Sequence, residues 1–457
     1  MKRLQSCITL ACLICCCAVI GRARPLQQDF WKVGLAKSII TPKQPMWMAG
    51  YATRNKPAEG TMHDLWAKAA AFQDASGKRW VCVSTDLLGI PRDLEIAVCT
   101  AAEKRFGLPR AAILLNSSHT HSAPVLQGAL QDIYVLDEQE KQKIADYSTW
   151  LCQELLDLIS RALGDMKEAQ VAIGKGYVRF GVNRRNNKEA DLVDLPALNG
   201  PSDYSVPLIR VTDRKGNLMA LLFSYACHAT VLDGYQWSGD YVGFAQLELE
   251  KKYAGCQAMF LQGAGADQNP LPRKSIGRAQ QYGKELAAAV EQVLDDRLCQ
   301  PLKPKVSLAF EEIALPLEVK DQRYYAEISS SATQPFYAKT WAKRMLQRLQ
   351  NGEVLEQHYP YPIQCIVLDQ QLIFALGGEL TVQYALDLKK IFGRETVVFG
   401  YSNDVMAYIP SEVILKEGGY EGESSQLVYG RPAKWQVGIE KRIIDACVQL
   451  QHQLEKR

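Results

Sequence analysis

Residues 111–124 read AAILLNSSHTHSAP, a short apolar run that ends abruptly in polar residues. Its length and its aliphatic content are typical of a buried strand. Four later runs end in the same way, in the stretches CHAT, GAGADQNP, GGE and YSNDVMAY. Helical patterns separate the apolar runs. Because alternating strands and helices build α/β domains, the sequence predicts mixed β-sheets with flanking helices in a single large catalytic domain.

The predicted helices cover residues 92–106, 136–164, 241–253, 275–296, 320–350 and 380–391. Loops at the ends of strands are where α/β folds assemble their sites. We therefore expect the five polar ends to line one shared crevice.

Histidine is scarce in this chain, with six in 457 residues. His119 and His121 would project to one side of an extended segment, and His228 follows another strand pattern. A catalytic zinc ion takes three ligands from His, Glu or Asp and keeps a position for water, so His119, His228 and Glu379 can form such a site. A simpler interpretation of these residues stays open. The histidines could be buried and hydrogen-bonded within the core, and Glu379 could lie in the first turn of a helix, where the helix dipole favours a carboxylate.

The first residues predict export. Lys2 and Arg3 precede an apolar run over residues 7–21, and small residues follow, which is the order of a secretory signal peptide. We predict a signal peptide over residues 1–23 and a mature domain over residues 24–457. The run is shorter than the ~20 residues of a membrane span. The triplet before Cys12 is a poor lipidation signal, so a periplasmic or extracellular protein is favoured over a lipoprotein.

The mature chain is nearly neutral, because residues 1–23 contain three basic residues and no acidic one, against a net charge of +3 for the whole sequence. This balance gives no reason to expect nucleic acid as a partner. The cysteines beyond residue 23 are scattered and form no CxxC pair, which favours buried thiols over a thiolate zinc site.

Several motifs, in this order, resemble the catalytic N-terminal domain of the neutral/alkaline non-lysosomal ceramidase family. They are VGLAKSIITP (33–42), HTHS (119–122), Asn183-Arg184, His228, Asp267 to Pro270, Gly378-Glu379 and the tyrosine-rich stretch 403–421. The resemblance implies one zinc ion per chain, held by His119, His228, Glu379 and Tyr408. It also implies that His121 lies beside the zinc-bound water as base or acid, that Arg184 and Tyr420 face the substrate carbonyl, and that Asp240 has a supporting or structural role.

The activity implied by the resemblance is that of an exported zinc-dependent amidohydrolase. Zinc-bound water would attack a linear N-acyl amide, either ceramide or a related N-acyl lipid, and no cofactor beyond zinc is expected. A substrate of this kind is compatible with peripheral contact with a membrane. Two alternatives remain open: hydrolysis of another carbonyl substrate such as an ester, a lactone or a non-lipid amide, and a lapsed enzyme that acts as a binding protein.

The sequence departs from the family pattern at two points. Asn269 stands where the family has a serine; it cannot act as a nucleophile, but it can donate a hydrogen bond within the site. Residues 434–457 form a helix-like stretch soon after the tyrosine-rich segment. We therefore expect the catalytic domain without the C-terminal β-sandwich that the family carries.

Overall fold

The computed structural model describes residues 30–456, with the exception of residues 131, 193 and 196. The predicted signal peptide lies outside the described residues. Among those residues, no helix combines the length and the apolar character needed to cross a membrane. The eight cysteines of this part of the chain are all free thiols, and six of them are buried.

The strands belong to two main sheets and three short ladders. In chain order they are β1 (Trp31–Ile39), β2 (Gly60–Thr61), β3 (Trp66–Gln73), β4 (Arg79–Thr85), β5 (Ile113–Ser117), β6 (Lys167–Tyr177), β7 (Gly181–Asn183), β8 (Ser205–Asp213), β9 (Leu218–Tyr225), β10 (Gln236–Trp237), β11 (Gln257–Gln262), β12 (Gln268–Pro270), β13 (Gln300–Leu302), β14 (Val306–Pro316), β15 (His358–Leu368), β16 (Gln371–Leu376), β17 (Glu379–Leu380), β18 (Val397–Phe399) and β19 (Tyr408–Ile409). The larger sheet has the order β11-β9-β8-β6-β1-β3-β4-β5, with β13 beside β6, and the smaller has the order β14-β15-β16-β18.

The helices lie close to the predicted positions, with one correction. They are α1 (Arg92–Phe106), α2 (Glu138–Gly164), α3 (Asp240–Lys252), α4 (Ile276–Asp295), α5 (Gln322–Ser330), α6 (Phe336–Gln350), α7 (Val382–Phe392), α8 (Glu412–Glu417), α9 (Ser425–Val428) and α10 (Ile439–Glu455). The single helix predicted over residues 320–350 was wrong, because it is two helices, α5 and α6. Pro335 lies between them in an extended conformation, and a proline disfavours helical geometry at the residue before it.

The two sheets pack face to face, and helices cover both outer faces. Trp80 and Cys82 of β4 pack with Ile373 of β16 in the core between the sheets. Val81 and Val83, the alternate residues of β4, pack instead against α1 and α2. Helices α3 and α4 cover the other half of the larger sheet, and α7 and α10 cover the smaller one. The predicted fold class, mixed sheets with flanking helices in one domain, is confirmed.

Parallel pairing brings the polar strand ends together. The pairs β4–β5, β9–β11 and β16–β18 are parallel, so the strands of each pair end at the same edge. Isolated bridges from Gly263 to Phe399 and from Asn116 to Ser402 then join the ends of the larger sheet to the end of β18 and to the segment after it. The loops that carry the candidate site residues leave from this junction.

Candidate metal centre

Two buried histidines enter the site with their rings fixed by backbone carbonyls. His119 follows β5 with a φ of 60°, in the left-handed region that non-glycine residues rarely adopt. Its Nδ1 lies 2.6 Å from the Leu88 carbonyl, and His228 Nδ1 lies 2.8 Å from the Gly265 carbonyl. A carbonyl only accepts hydrogen bonds, so each Nδ1 carries the proton. Each Nε2 therefore presents a lone pair to the site, as metal-ligating histidines do.

Glu379 and Tyr408 are neighbours in the ladder formed by β17 and β19, where they are direct register partners. Gly378 precedes Glu379 with a φ of 71°, and a Cβ at Gly378 would lie 2.7 Å from the Ala407 carbonyl oxygen. Only glycine fits this close approach of the two backbones. The glycine thus allows the two side chains to reach the histidines from one side.

The four side-chain atoms converge on one small volume. Glu379 Oε2 is 3.1 Å from His119 Nε2 and 3.2 Å from His228 Nε2, and Tyr408 Oη is 3.3 Å from His228 Nε2. Ligand atoms of a tetrahedral zinc ion lie about 3.3–3.6 Å apart, given bonds of about 2.0–2.2 Å. The spacing and the N/O donor set therefore fit such an ion.

The charges of the cluster also fit a cation. Burial, together with the positive charge of Arg184, lowers the pKa of His228 to about 4, so this ring is neutral near pH 7. Glu379 Oε2 is buried and has no hydrogen-bond donor among the described residues. A carboxylate oxygen that faces two imidazole lone pairs is stabilised by a positive ion between them.

His121 completes a group that can hold a metal ion. The ligand atoms of His119, His121 and His228 all lie within 4.8 Å of one another. His121 Nε2 is 3.1 Å from His119 Nε2. The other ring nitrogen of His119, Nδ1, is the one that contacts the Leu88 carbonyl. His121 is partly exposed, whereas the other two histidines are buried.

Arg184 links the cluster to the other predicted site residues. Its Nη2 donates to Tyr408 Oη at 3.1 Å, its Nη1 to Asn269 Oδ1 at 3.3 Å, and its Nε to Glu421 Oε1 at 2.8 Å. Asn269 is buried in β12. Tyr420 is 45% exposed, with its ring 5.3 Å from that of Tyr408, so it lies at the open side of the group.

Asp240 is buried, and its carboxylate accepts hydrogen bonds from the backbone N–H groups of Val231, Leu232 and Tyr241. These contacts fix the loop after His228 at the start of α3. Burial raises the pKa of Asp240 to about 6. The contacts are those of a structural residue, one of the two roles expected from the sequence.

The sequence did not single out the residues that hold the cluster from behind. Tyr429 donates to Glu379 Oε1 at 2.5 Å, which leaves Oε2 to face the histidines. The Tyr401 ring packs 4.5 Å from the His119 ring. Tyr401 lies just before the tyrosine-rich stretch and Tyr429 lies after it, and this proximity is the only sequence signal for them. Nothing in the sequence marks the Leu88 and Gly265 carbonyls, because backbone groups carry no residue identity.

Replacing Tyr429 with phenylalanine should weaken metal binding without abolishing it. The change removes the hydrogen bond to Glu379 Oε1 and keeps the ring, so the carboxylate loses its fixed orientation. Outer contacts of this kind are worth about 10–100-fold in metal affinity. Competition with a calibrated chelator measures the zinc affinity. Tyr337→Phe is a control, since Tyr337 lies on α6, outside the cluster. Equal zinc affinity in wild type and Tyr429→Phe would contradict the assignment.

Residues 31–281 match the family model described as neutral/alkaline non-lysosomal ceramidase, N-terminal. The chain belongs to this family. The match covers more than half of the chain and includes His119, Arg184 and His228, and it ends before Glu379 and Tyr408. The predicted resemblance is confirmed.

Individual ceramidases show how far the similarity extends. The chain is 26% identical to the neutral ceramidase of Drosophila melanogaster over 238 residues, which are 49% of this chain and 32% of that protein. It is 28% identical to neutral ceramidase B of Dictyostelium discoideum over 221 residues, 46% of this chain and 30% of that protein. The matched segments thus span about a third of these relatives.

The structural comparison extends over nearly the whole chain. The neutral ceramidase from Pseudomonas aeruginosa superposes with a TM-score of 0.69, covering 93% of this chain and 75% of that chain at 18% identity. At this identity the superposition establishes a shared fold. With 93% of this chain covered, the shared fold extends well beyond residue 281, where the match to the family model ends.

Proposed function

We propose that this ceramidase-family protein is an exported, zinc-dependent hydrolase of linear N-acyl amides, with ceramide or a related N-acyl lipid as substrate. The observation that carries the proposal is the convergence of His119, His228, Glu379 and Tyr408 at spacings of 3.1 to 3.3 Å, with a Glu379 oxygen that has no hydrogen-bond donor in the described part of the chain. These four residues would hold one zinc ion per chain.

A bound zinc ion supplies an activated water and polarises the substrate carbonyl. His121 Nε2 lies 3.1 Å from His119 Nε2, within reach of a proton at the centre of the cluster. It would take a proton from the attacking water or give one to the leaving amine, the two transfers that amide cleavage needs.

Three other residues would act on the substrate. Arg184 and Tyr420 would direct N–H and O–H donors to the oxygen that becomes negative as water adds. The Asn269 side-chain oxygen accepts a hydrogen bond from the Arg184 guanidinium, which has only donors. The NH₂ group of Asn269 is therefore directed elsewhere in the site. Asn269 would use that group as a further donor to the substrate.

A small apolar recess adjoins the cluster. Leu88, Pro91, Val125 and Leu126 line it together with Tyr429. Leu88 and Tyr429 are the residues that hold His119 and Glu379. The recess has a volume of only about 10 Å³, which is about the space of one water molecule and holds no acyl chain. The lipid class of the substrate is therefore proposed from the family, and not from this recess.

The test measures fatty acid release from N-acylsphingosine and from simpler N-acyl amines by the protein purified without its leader. We expect release that stops when a chelator removes the metal and returns when zinc is added. An ester and a lactone in the same panel examine the other carbonyl substrates. Release that persists without metal would contradict the mechanism. Stoichiometric zinc binding without turnover on any substrate would favour a binding protein.

A further inference from the structure

His121 is held by a segment that takes no part in the proposed metal centre. This segment, Ala49–Arg54, has the sequence AGYATR and precedes β2. Gly50 in it has a φ of 102°. A Cβ on Gly50 would lie 2.4 Å from His121 Nδ1 and 2.5 Å from its Cγ. The His121 ring thus occupies the space that a side chain at position 50 would fill.

Two further residues of the segment hold the same histidine. The Tyr51 ring lies 4.7 Å from the His121 ring, and its hydroxyl donates to the Leu232 carbonyl. Arg54 is buried, and one of its Nη atoms donates to the His121 carbonyl at 2.6 Å while the other donates to the Gly234 carbonyl at 3.0 Å. The Arg54 guanidinium therefore joins the HTHS loop to the segment between β9 and α3.

The backbone fixes the same segment against the residues that follow His121. Ala49 N–H donates to the Ala123 carbonyl at 2.8 Å, and Val125 N–H donates to the Trp47 carbonyl at 2.9 Å. These bonds flank a bridge between Met48 and Pro124. The position of His121 relative to His119 thus depends on the segment Ala49–Arg54.

We propose that the segment Ala49–Arg54 is a positioning element that sets the His121 ring for proton transfer and that it does not support metal binding. Gly50 leaves the space, Tyr51 packs on the ring, and Arg54 ties down the backbone. The proposal rests on the proposed function for the role of His121. A shift of about 1 Å at a reacting group can cost about 100-fold in rate. A methyl group on Gly50 would lie 2.4 Å from His121 Nδ1, and an ordinary contact of 3.4 Å requires a shift of about this size.

The test compares Gly50→Ala with Gly77→Ala. Gly77 lies in the turn between β3 and β4 with a φ of 89°, and a Cβ there would meet nothing within 4 Å. Both variants carry a similar strain of left-handed backbone, and only Gly50→Ala displaces His121. For Gly50→Ala we expect full zinc content, an unchanged KM and a kcat lower by about 100-fold. Gly77→Ala should keep the wild-type kcat.

A second readout does not depend on turnover. The ring signals of ¹³C-labelled histidine, assigned by single substitutions of the six histidines, report each ring separately. The His121 signal should move in Gly50→Ala while those of His119 and His228 stay in place. An unmoved His121 signal, an equal shift in Gly77→Ala, or loss of zinc from folded Gly50→Ala would overturn the proposal. If the wild type binds zinc but cleaves no amide, the proposed function fails and these signals still decide the positioning.

Arg54→Lys examines the other end of the segment. Lysine keeps the charge, but it cannot reproduce the fork that reaches the His121 and Gly234 carbonyls at once. We expect the His121 ring signal to broaden or split and kcat to fall while zinc content is retained. Wild-type signals and kcat in Arg54→Lys would remove Arg54 from the element.

Discussion

His119→Ala and Glu379→Ala should each lose zinc, and with it amide hydrolysis, while the fold persists. His119 and Glu379 supply two of the four converging atoms, only 3.1 Å apart. Removing either leaves the ion with too few ligands, and losing Glu379 also removes the negative charge that offsets it. We expect zinc affinity to fall by more than the roughly 10–100-fold typical of outer contacts.

Metal analysis of the purified variants, beside thermal unfolding, measures this loss. His358→Ala is the matched control for His119→Ala, because His358 is exposed at the start of β15. The control should keep one zinc ion per chain and full activity. A folded Glu379→Ala protein with wild-type zinc content would exclude the proposed ligand set and favour the three histidines His119, His121 and His228 alone.

Much of the fold could be predicted because its signals are local. The run WVCVSTD predicts β4 well, since every residue from Trp80 to Thr85 is buried. Both faces of β4 are buried, each against a different layer of the fold. The sequence of the strand is therefore continuously apolar and does not alternate between apolar and polar residues. The break between α5 and α6 was missed although Pro335 marks it, because the apolar pattern continues on both sides.

The site was harder to predict, because its parts meet only in three dimensions. The scarcity of histidine drew attention to His119 and His228, and the structure brings both together with Glu379. Tyr408 entered only through family resemblance, since no spacing rule connects it with Glu379, its partner in the β17–β19 ladder. Tyr429 was missed for the same reason. Its hydrogen bond to Glu379 joins residues separated by 50 positions.

Arg184→Lys should lose nearly as much activity as Arg184→Ala. The guanidinium contacts Tyr408 Oη, Asn269 Oδ1 and Glu421 Oε1 with three different nitrogens. A lysine ammonium is a point charge and cannot span all three. Loss of a donor at a developing oxyanion costs about 10²–10³-fold in kcat. Both variants should therefore fall in that range when zinc is saturating.

Arg185→Ala separates this effect from the loss of a nearby positive charge. Arg185 shares the carboxylate of Glu421, which it contacts at Oε2, but its other contacts are Glu417 and the Gly418 carbonyl. None of these hydrogen bonds reaches Tyr408 or Asn269. We expect Arg185→Ala to keep most of the wild-type kcat, since Arg184 still pairs with Glu421. Measuring kcat and KM at saturating zinc distinguishes the two arginines. Equal losses in Arg184→Lys and Arg185→Ala would mean that the arginines act through charge alone, and the role of the Arg184 fork at the substrate carbonyl would then be wrong.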